Sequence, residues 1–90
     1  MEKSKGENKT IFYAYILKCA DDTLYVGSTN DLEKRLHQHN TAKSGAHYTK
    51  IRRPVKLVYS ETFEMFKESR SREAAIKRLT RVQKLELFKE

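Results

Sequence analysis

Cysteine, aspartate and long apolar runs are scarce in this 90-residue chain, and each scarcity closes off a class of function. A single cysteine, Cys19, excludes an internal disulfide and a zinc site built from several thiolates. It sits in a run that reads as a buried strand, so it is expected to pack rather than react, in a reduced, cytoplasmic protein. The three aspartates, Asp21, Asp22 and Asp31, all fall in one turn or at the start of the helix after it. That leaves little from which to build a two-metal carboxylate cluster. No apolar stretch approaches the ~20 residues that span a bilayer, and the polar start Met1 to Thr10 lacks the apolar core of a signal peptide. No membrane partner is expected, and the protein should stay where it is made.

Positive charge is what the chain has in excess. Nineteen Lys and Arg against twelve Asp and Glu give a formal charge of +7, with an isoelectric point near 9.6. A polyanionic partner is favoured over a neutral one. The length suits one compact domain that buries about 60–65% of its unfolded surface, and is too short for two cores.

Residues 1–10, MEKSKGENKT, are too polar to offset their ordering entropy and read as a disordered arm before a single domain over 11–90. Ile11 to Cys19 is apolar and aromatic, Ala20-Asp21-Asp22 supplies turn residues, and Thr23 to Gly27 resumes strand composition, which makes a β-hairpin. A two-residue loop would point Tyr15 and Tyr25 to opposite faces. A three-residue loop, with Cys19 pairing Thr23, sets them on one face with Tyr15 opposite Gly27, and Asp22 suits the left-handed position such a loop needs. Asn30 and Glu33 have capping-box spacing for a helix from about Asp31 to Asn40. Leu32 and Leu36 mark its buried stripe, with Arg35 and His39 at the stripe's edge. Thr41 to Arg53 reads as an irregular basic segment, with room for one helical turn.

Pro54 to Phe63 alternates Val55, Leu57, Tyr59 against Lys56, Val58, Ser60 and reads as a third strand. Helix formers follow from Glu64, with a break near Thr80 that fits two helices or one kinked helix. Met65, Ile76, Leu79, Val82, Leu85 and Phe88 are the apolar residues available to cover the sheet. The order β-β-α-β-α-α predicts an α+β fold, a small three-stranded antiparallel sheet flanked by helices.

Tyr13-Ala14-Tyr15, then Tyr25-Val26-Gly27, then Arg35 eight residues past that glycine, resembles the GIY-YIG nuclease superfamily. His39 and the stretch Arg72 to Lys77 extend the resemblance, which covers roughly residues 12–88. The runs YILKC, YVGSTNDLEKRL and RPVKLVY are most similar to its short, stand-alone bacterial branch, the UPF0213-like proteins. Two departures stand out: the first triplet keeps only its final tyrosine, and residues 74–90 hold no asparagine where many relatives carry one. Gln83 and Lys84 are the candidates for that place.

The resemblance implies a metal-dependent endonuclease that cuts DNA, with RNA left open, and little sequence specificity. A non-catalytic nucleic-acid-binding or adaptor protein on the same scaffold is the alternative. Catalytic roles would fall to Tyr15, Tyr25, Arg35, His39 and Glu73. Glu73 would be the sole protein ligand of one Mg²⁺ or Mn²⁺ ion, and Gly27 would leave room for Tyr15. Arg35, a planar fork of donors, suits the non-bridging oxygens of a phosphate under attack. Either phenol would orient or deprotonate water in a cationic field, and His39 would share the proton.

Plainer readings compete. Tyr13 and Tyr59 are read as packing, and His37 and His47 have no evident partner. Arg35 also has helix-pair spacing to Asp31, worth about 0.2–0.5 kcal/mol, and Glu73 has it to Lys77. Two basic groups, Lys50, Arg52 and Arg53 in the irregular segment and Lys77, Arg78, Arg81 and Lys84 on the late helices, are expected to contact the nucleic-acid backbone. A monomer or weak dimer is expected.

Overall fold

The computed structural model describes residues 10–41 and 47–89. The expected arm lies, but for Thr10, outside the described residues. Two strands, β1 (Phe12–Lys18) and β2 (Leu24–Thr29), precede α1 (Leu32–Thr41) and the single turn α2 (His47–Lys50). Then come β3 (Lys56–Phe63), α3 (Phe66–Lys77) and α4 (Arg81–Leu87). The sheet is antiparallel in the order β2-β1-β3, so the expected fold class holds, with α2 as a helical turn among the described residues of the irregular segment.

The most apolar stretch of the chain makes the central strand because only there is backbone buried on both faces. Ala14 and Ile16 point to one side, where they join Val26 and Ile76 and the flanking Leu79, Leu87 and Phe88. Tyr15 and Leu17 point to the other, against Cys19, Val55, Leu32 and Leu36. The hairpin takes the three-residue form: Cys19 N–H donates to the Thr23 carbonyl at 2.9 Å, and Asp22 holds φ 69°. Asp21 braces the loop by accepting the Thr23 hydroxyl at 2.6 Å.

Three local expectations are corrected. Asp31, rather than an Asn30–Glu33 box, caps α1, its carboxylate accepting the Lys34 N–H at 3.1 Å. The helix begins one residue later than expected, which moves the cap position to Asp31. In β3, Ile16 pairs with Tyr59 and Leu17 with Leu57, so Val58 is an extra residue in a bulge. Strict alternation fails there: Val58 and Tyr59 both pack on the Ile76 side, and Leu57 is left at the surface. Finally, Met65 and Val82 do not cover the sheet; they are 57% and 68% exposed. The break near Thr80 yields two helices, and a reciprocal capping box between Thr80 and Gln83 starts the second.

Candidate functional site

The register that the three-residue loop sets puts Tyr15 opposite Gly27, and the missing side chain is what lets the phenol lie there. A β-carbon on Gly27 would come within 2.5 Å of the Tyr15 hydroxyl oxygen. The ring runs beneath β2, and its hydroxyl meets His39 Nε2 at 3.1 Å. His39 arrives from the last turn of α1, and its Nδ1 meets the Thr49 hydroxyl of α2 at 2.7 Å. All three are sealed from solvent, Tyr15 and His39 at 2% exposure and Thr49 at 0%.

Burial sets the protonation of this chain of groups. It pushes the Tyr15 phenol well above its ordinary range, with the neighbouring Tyr25 adding to the rise and Arg35 opposing it. It holds His39 below the usual imidazole value, helped by the charges of Arg35 and Arg53. The imidazole is therefore neutral near pH 7, with one donor and one acceptor nitrogen. If Nδ1–H donates to Thr49, Nε2 accepts the Tyr15 proton; if Thr49 donates to Nδ1, Nε2–H donates to Tyr15, and the phenol proton turns toward the cavity.

That cavity, about 440 Å³, opens above Gly27 and is lined by Tyr15, Tyr25, Arg35 and Glu73 among others. Tyr25 is half-buried, its ring 5.0 Å from that of His39. Arg35 is exposed along the cavity wall; among the described residues it forms no ion pair, and Asp31 is spent as the α1 cap. Glu73 comes from α3 on the opposite side of the sheet and reaches the cavity past Ser28, whose hydroxyl donates to it at 2.7 Å. Its side chain is 14% exposed, with Arg70 at 3.2 Å and Lys77 at 3.0 Å. Burial alone would raise the Glu73 pKa; the Ser28 and Lys77 hydrogen bonds and the two cations outweigh it, and the carboxylate is held below its usual range.

Four of the five expected catalytic residues thus line one cavity. His39 does not; it lies under the floor and touches the cavity through Tyr15 and Tyr25. The expected Glu73–Lys77 pair is also present, so the helix-pair reading and the cavity reading of Glu73 hold together. Three partners escaped the sequence reading. Ser28 directly follows the motif glycine and looks like a capping residue, Arg70 precedes Glu73 by one helical turn, and Thr49 sits in a segment with no periodic pattern.

The basic residues divide. Arg53 donates to the His39 carbonyl at 2.5 Å and closes the end of α1. Arg52 is fixed between Asp21, at 3.1 Å, and the Tyr48 ring, 4.0 Å from its centroid. These two guanidiniums pin the segment after α2 to the hairpin loop and α1. Lys50, Lys77, Arg78 and Arg81 are exposed, and Lys84 is half-buried. Gln83 is occupied at the α4 cap, where its side chain accepts the Thr80 N–H at 2.9 Å.

Phenols beside a glycine on a short hairpin, an arginine on the following helix and a carboxylate from a later one are the features on which the sequence resembles the GIY-YIG superfamily. The GIY-YIG catalytic domain matches residues 11–86, and the chain belongs to this family of nuclease-type hydrolases. It is 60% identical to a UPF0213 protein of Clostridium perfringens, over 84% of this chain and 81% of that one. It is 53% identical to a UPF0213 protein of Syntrophus aciditrophicus, over 87% and 90% of the two chains. Two solution structures share the architecture. A UPF0213 protein from Bacillus halodurans has a TM-score of 0.54 and 36% identity over 86% of this chain and 81% of that one. A protein from E. faecalis has a TM-score of 0.58 and 42% identity over 96% and 85%. Among the described residues, no helix is long and apolar enough to cross a membrane.

Proposed function

We infer that this chain is a metal-dependent endonuclease that hydrolyses phosphodiester bonds in DNA at structural irregularities or damage, with little sequence preference. The observation that carries the reading is the meeting of Tyr15, Tyr25, Arg35 and Glu73 in one cavity. Hydrolysis needs an oriented water, cancellation of charge on the phosphoryl oxygens and help for the leaving alkoxide. Arg35, exposed and without an ion pair among the described residues, suits the non-bridging oxygens. Tyr25 is the phenol with access to water. Tyr15, held protonated by burial, suits a donor or an orienting group, with His39 and Thr49 behind it as the relay that sets its proton.

The donor set fits one hard cation. Among the described residues, Glu73 is the single carboxylate lining the cavity, and no three His, Cys, Asp or Glu side chains cluster to hold an ion. A Mg²⁺ or Mn²⁺ ion held there, keeping waters and substrate oxygens as its other ligands, would polarise the phosphate and steady the leaving oxygen. Arg70 and Lys77 already neutralise Glu73, so an ion must displace or share them.

That same neutralisation favours one alternative, a nucleic-acid-binding or adaptor protein with little turnover; the use of Gln83 as a helix cap rather than a site residue points the same way. Duplex, flap, junction and single-stranded DNA, incubated with and without Mg²⁺, separate the two readings. A nuclease cuts at least one of them only with the ion. A binder retains them all with salt-sensitive affinity and leaves them whole.

A further inference from the structure

One wall of the cavity is apolar and open, and neither core needs it. Phe66, the first residue of α3, is 55% exposed and belongs to neither buried cluster. Its ring meets Phe12 edge-on, centroids 5.8 Å apart at 66°, and the Arg70 guanidinium lies 5.5 Å from its centroid. All three side chains line the cavity that holds Arg35 and Glu73. The backbone beneath is held firmly, since the buried Ser69 hydroxyl donates to the Phe66 carbonyl at 2.7 Å. The stack of Tyr25 on Tyr48 is covered more closely, its guanidinium at 4.0 Å rather than 5.5 Å and its outer ring 37% rather than 55% exposed. There Tyr25 tilts against Tyr48 at 5.9 Å, and the outer ring carries Arg52, itself tied to Asp21.

We propose that Phe66, backed by Phe12 and Arg70, is a stacking platform for a nucleobase adjacent to the scissile phosphate. The inference rests on the nuclease reading and deepens it by naming what the substrate must offer. A phosphate seated between Arg35 and Glu73 brings its neighbouring base toward this wall, and the base finds a ring that stays 55% exposed although a guanidinium lies over it at 5.5 Å. A base inside a continuous duplex has both faces covered. The ligand is therefore an unstacked base, as a flap, gap, mismatch or single strand supplies. Because every base has a π-face, the platform selects for structure without reading sequence.

Fluorescence anisotropy on short single-stranded oligonucleotides, with and without an abasic site stepped through each position, tests this with the full chain. Base–aromatic stacking predicts that Phe66→Ala weakens binding of the intact strand by about 5- to 150-fold. An abasic site at one position should weaken the wild type equally, and Phe66→Ala should then cost nothing more. Phe66→Trp retains affinity, whereas Phe66→Leu, which keeps apolar contact with Phe12, does not. The platform is overturned if Phe66→Ala binds intact strands like the wild type, or loses as much on every abasic strand as on the intact one. Salt-sensitive binding and metal-dependent cutting would survive either result. Failure of the wild type to bind any oligonucleotide would instead overturn the nuclease reading, and the platform with it.

Discussion

The Tyr15 hydroxyl occupies the space a side chain on Gly27 would need, 2.5 Å from the position of the missing β-carbon. Both residues lie on neighbouring strands whose pairing is fixed, so neither can yield without moving the hairpin. Gly27→Ala should therefore push the phenol away from His39 and destabilise the fold by about 1–3 kcal/mol, the usual cost of overpacking. Urea unfolding measures the loss. An alanine variant as stable as the wild type would mean that the ring swings aside freely.

Thr49 is buried behind His39, its hydroxyl 2.7 Å from Nδ1. Thr49→Val removes the hydroxyl and leaves Nδ1 without that partner, at a cost of about 1–3 kcal/mol for a buried polar group. Thr49→Ser keeps the hydroxyl and should recover most of that stability. If the relay sets the Tyr15 proton, the valine variant should also shift the pH profile of cleavage, and the serine variant should not.

His39 gives stability a specific pH dependence. Its pKa in the fold is depressed, by burial first and then by Arg35 and Arg53. The unfolded chain thus takes up a proton at a higher pH than the folded one does. The stability it confers is complete above the ordinary imidazole value of about 6.5 and is lost as pH falls from there through the depressed folded value. The urea midpoint should fall across that window in the wild type and stay flatter in His39→Gln. Equal slopes in the two proteins would place the titration elsewhere.

Salt dependence separates the basic residues that grip phosphate from those that hold the fold. Contact with about five phosphates predicts that log affinity falls against log salt with a slope near −4.5. Arg78→Ala and Arg81→Ala, at exposed positions, should each reduce that slope by about 0.9 without a change in unfolding. Arg53→Ala should do the reverse. Removing its hydrogen bond to the His39 carbonyl should cost about 1–3 kcal/mol of stability and leave the slope nearly unchanged. A slope near zero in the wild type would retire the nucleic-acid reading.

Wherever the signal is local, the chain announces it. The hairpin and its turn residues could be read from composition, with two registers open, of which only the three-residue loop puts both phenols on one face; the Cys19–Thr23 pairing decides between them. The break at Thr80 could be read from its neighbours. What escaped depends on contacts between distant elements. Ser28 reaches Glu73 across 45 residues of sequence, and Thr49 reaches His39 from a segment without periodicity. Val58 looked like an ordinary strand residue until its pairing with β1 slipped by one. Arg52 and Arg53 looked like a phosphate-binding patch because charge is visible in a sequence and its internal partners are not. The depth of His39 escaped for a similar reason. A helical wheel places it at the edge of the stripe, and only α2, folding over that edge, seals it from solvent.

Hydrolysis as proposed depends most on Glu73 and Arg35 acting on the same phosphate. The direct measurement is the single-turnover cleavage rate of a labelled flap or single-stranded substrate in Mg²⁺ by the wild type, Glu73→Ala and Arg35→Ala, with unfolding followed alongside. Loss of a preorganised charge partner predicts a fall of about 10²–10³-fold or more in each variant. The fold should remain largely intact: Arg35 is exposed, and the Arg70 and Lys77 side chains that pair with the mostly buried Glu73 are themselves 59% and 57% exposed, which keeps the worth of those pairs small. Equal nicking by all three proteins would assign the activity to a contaminant and contradict the account.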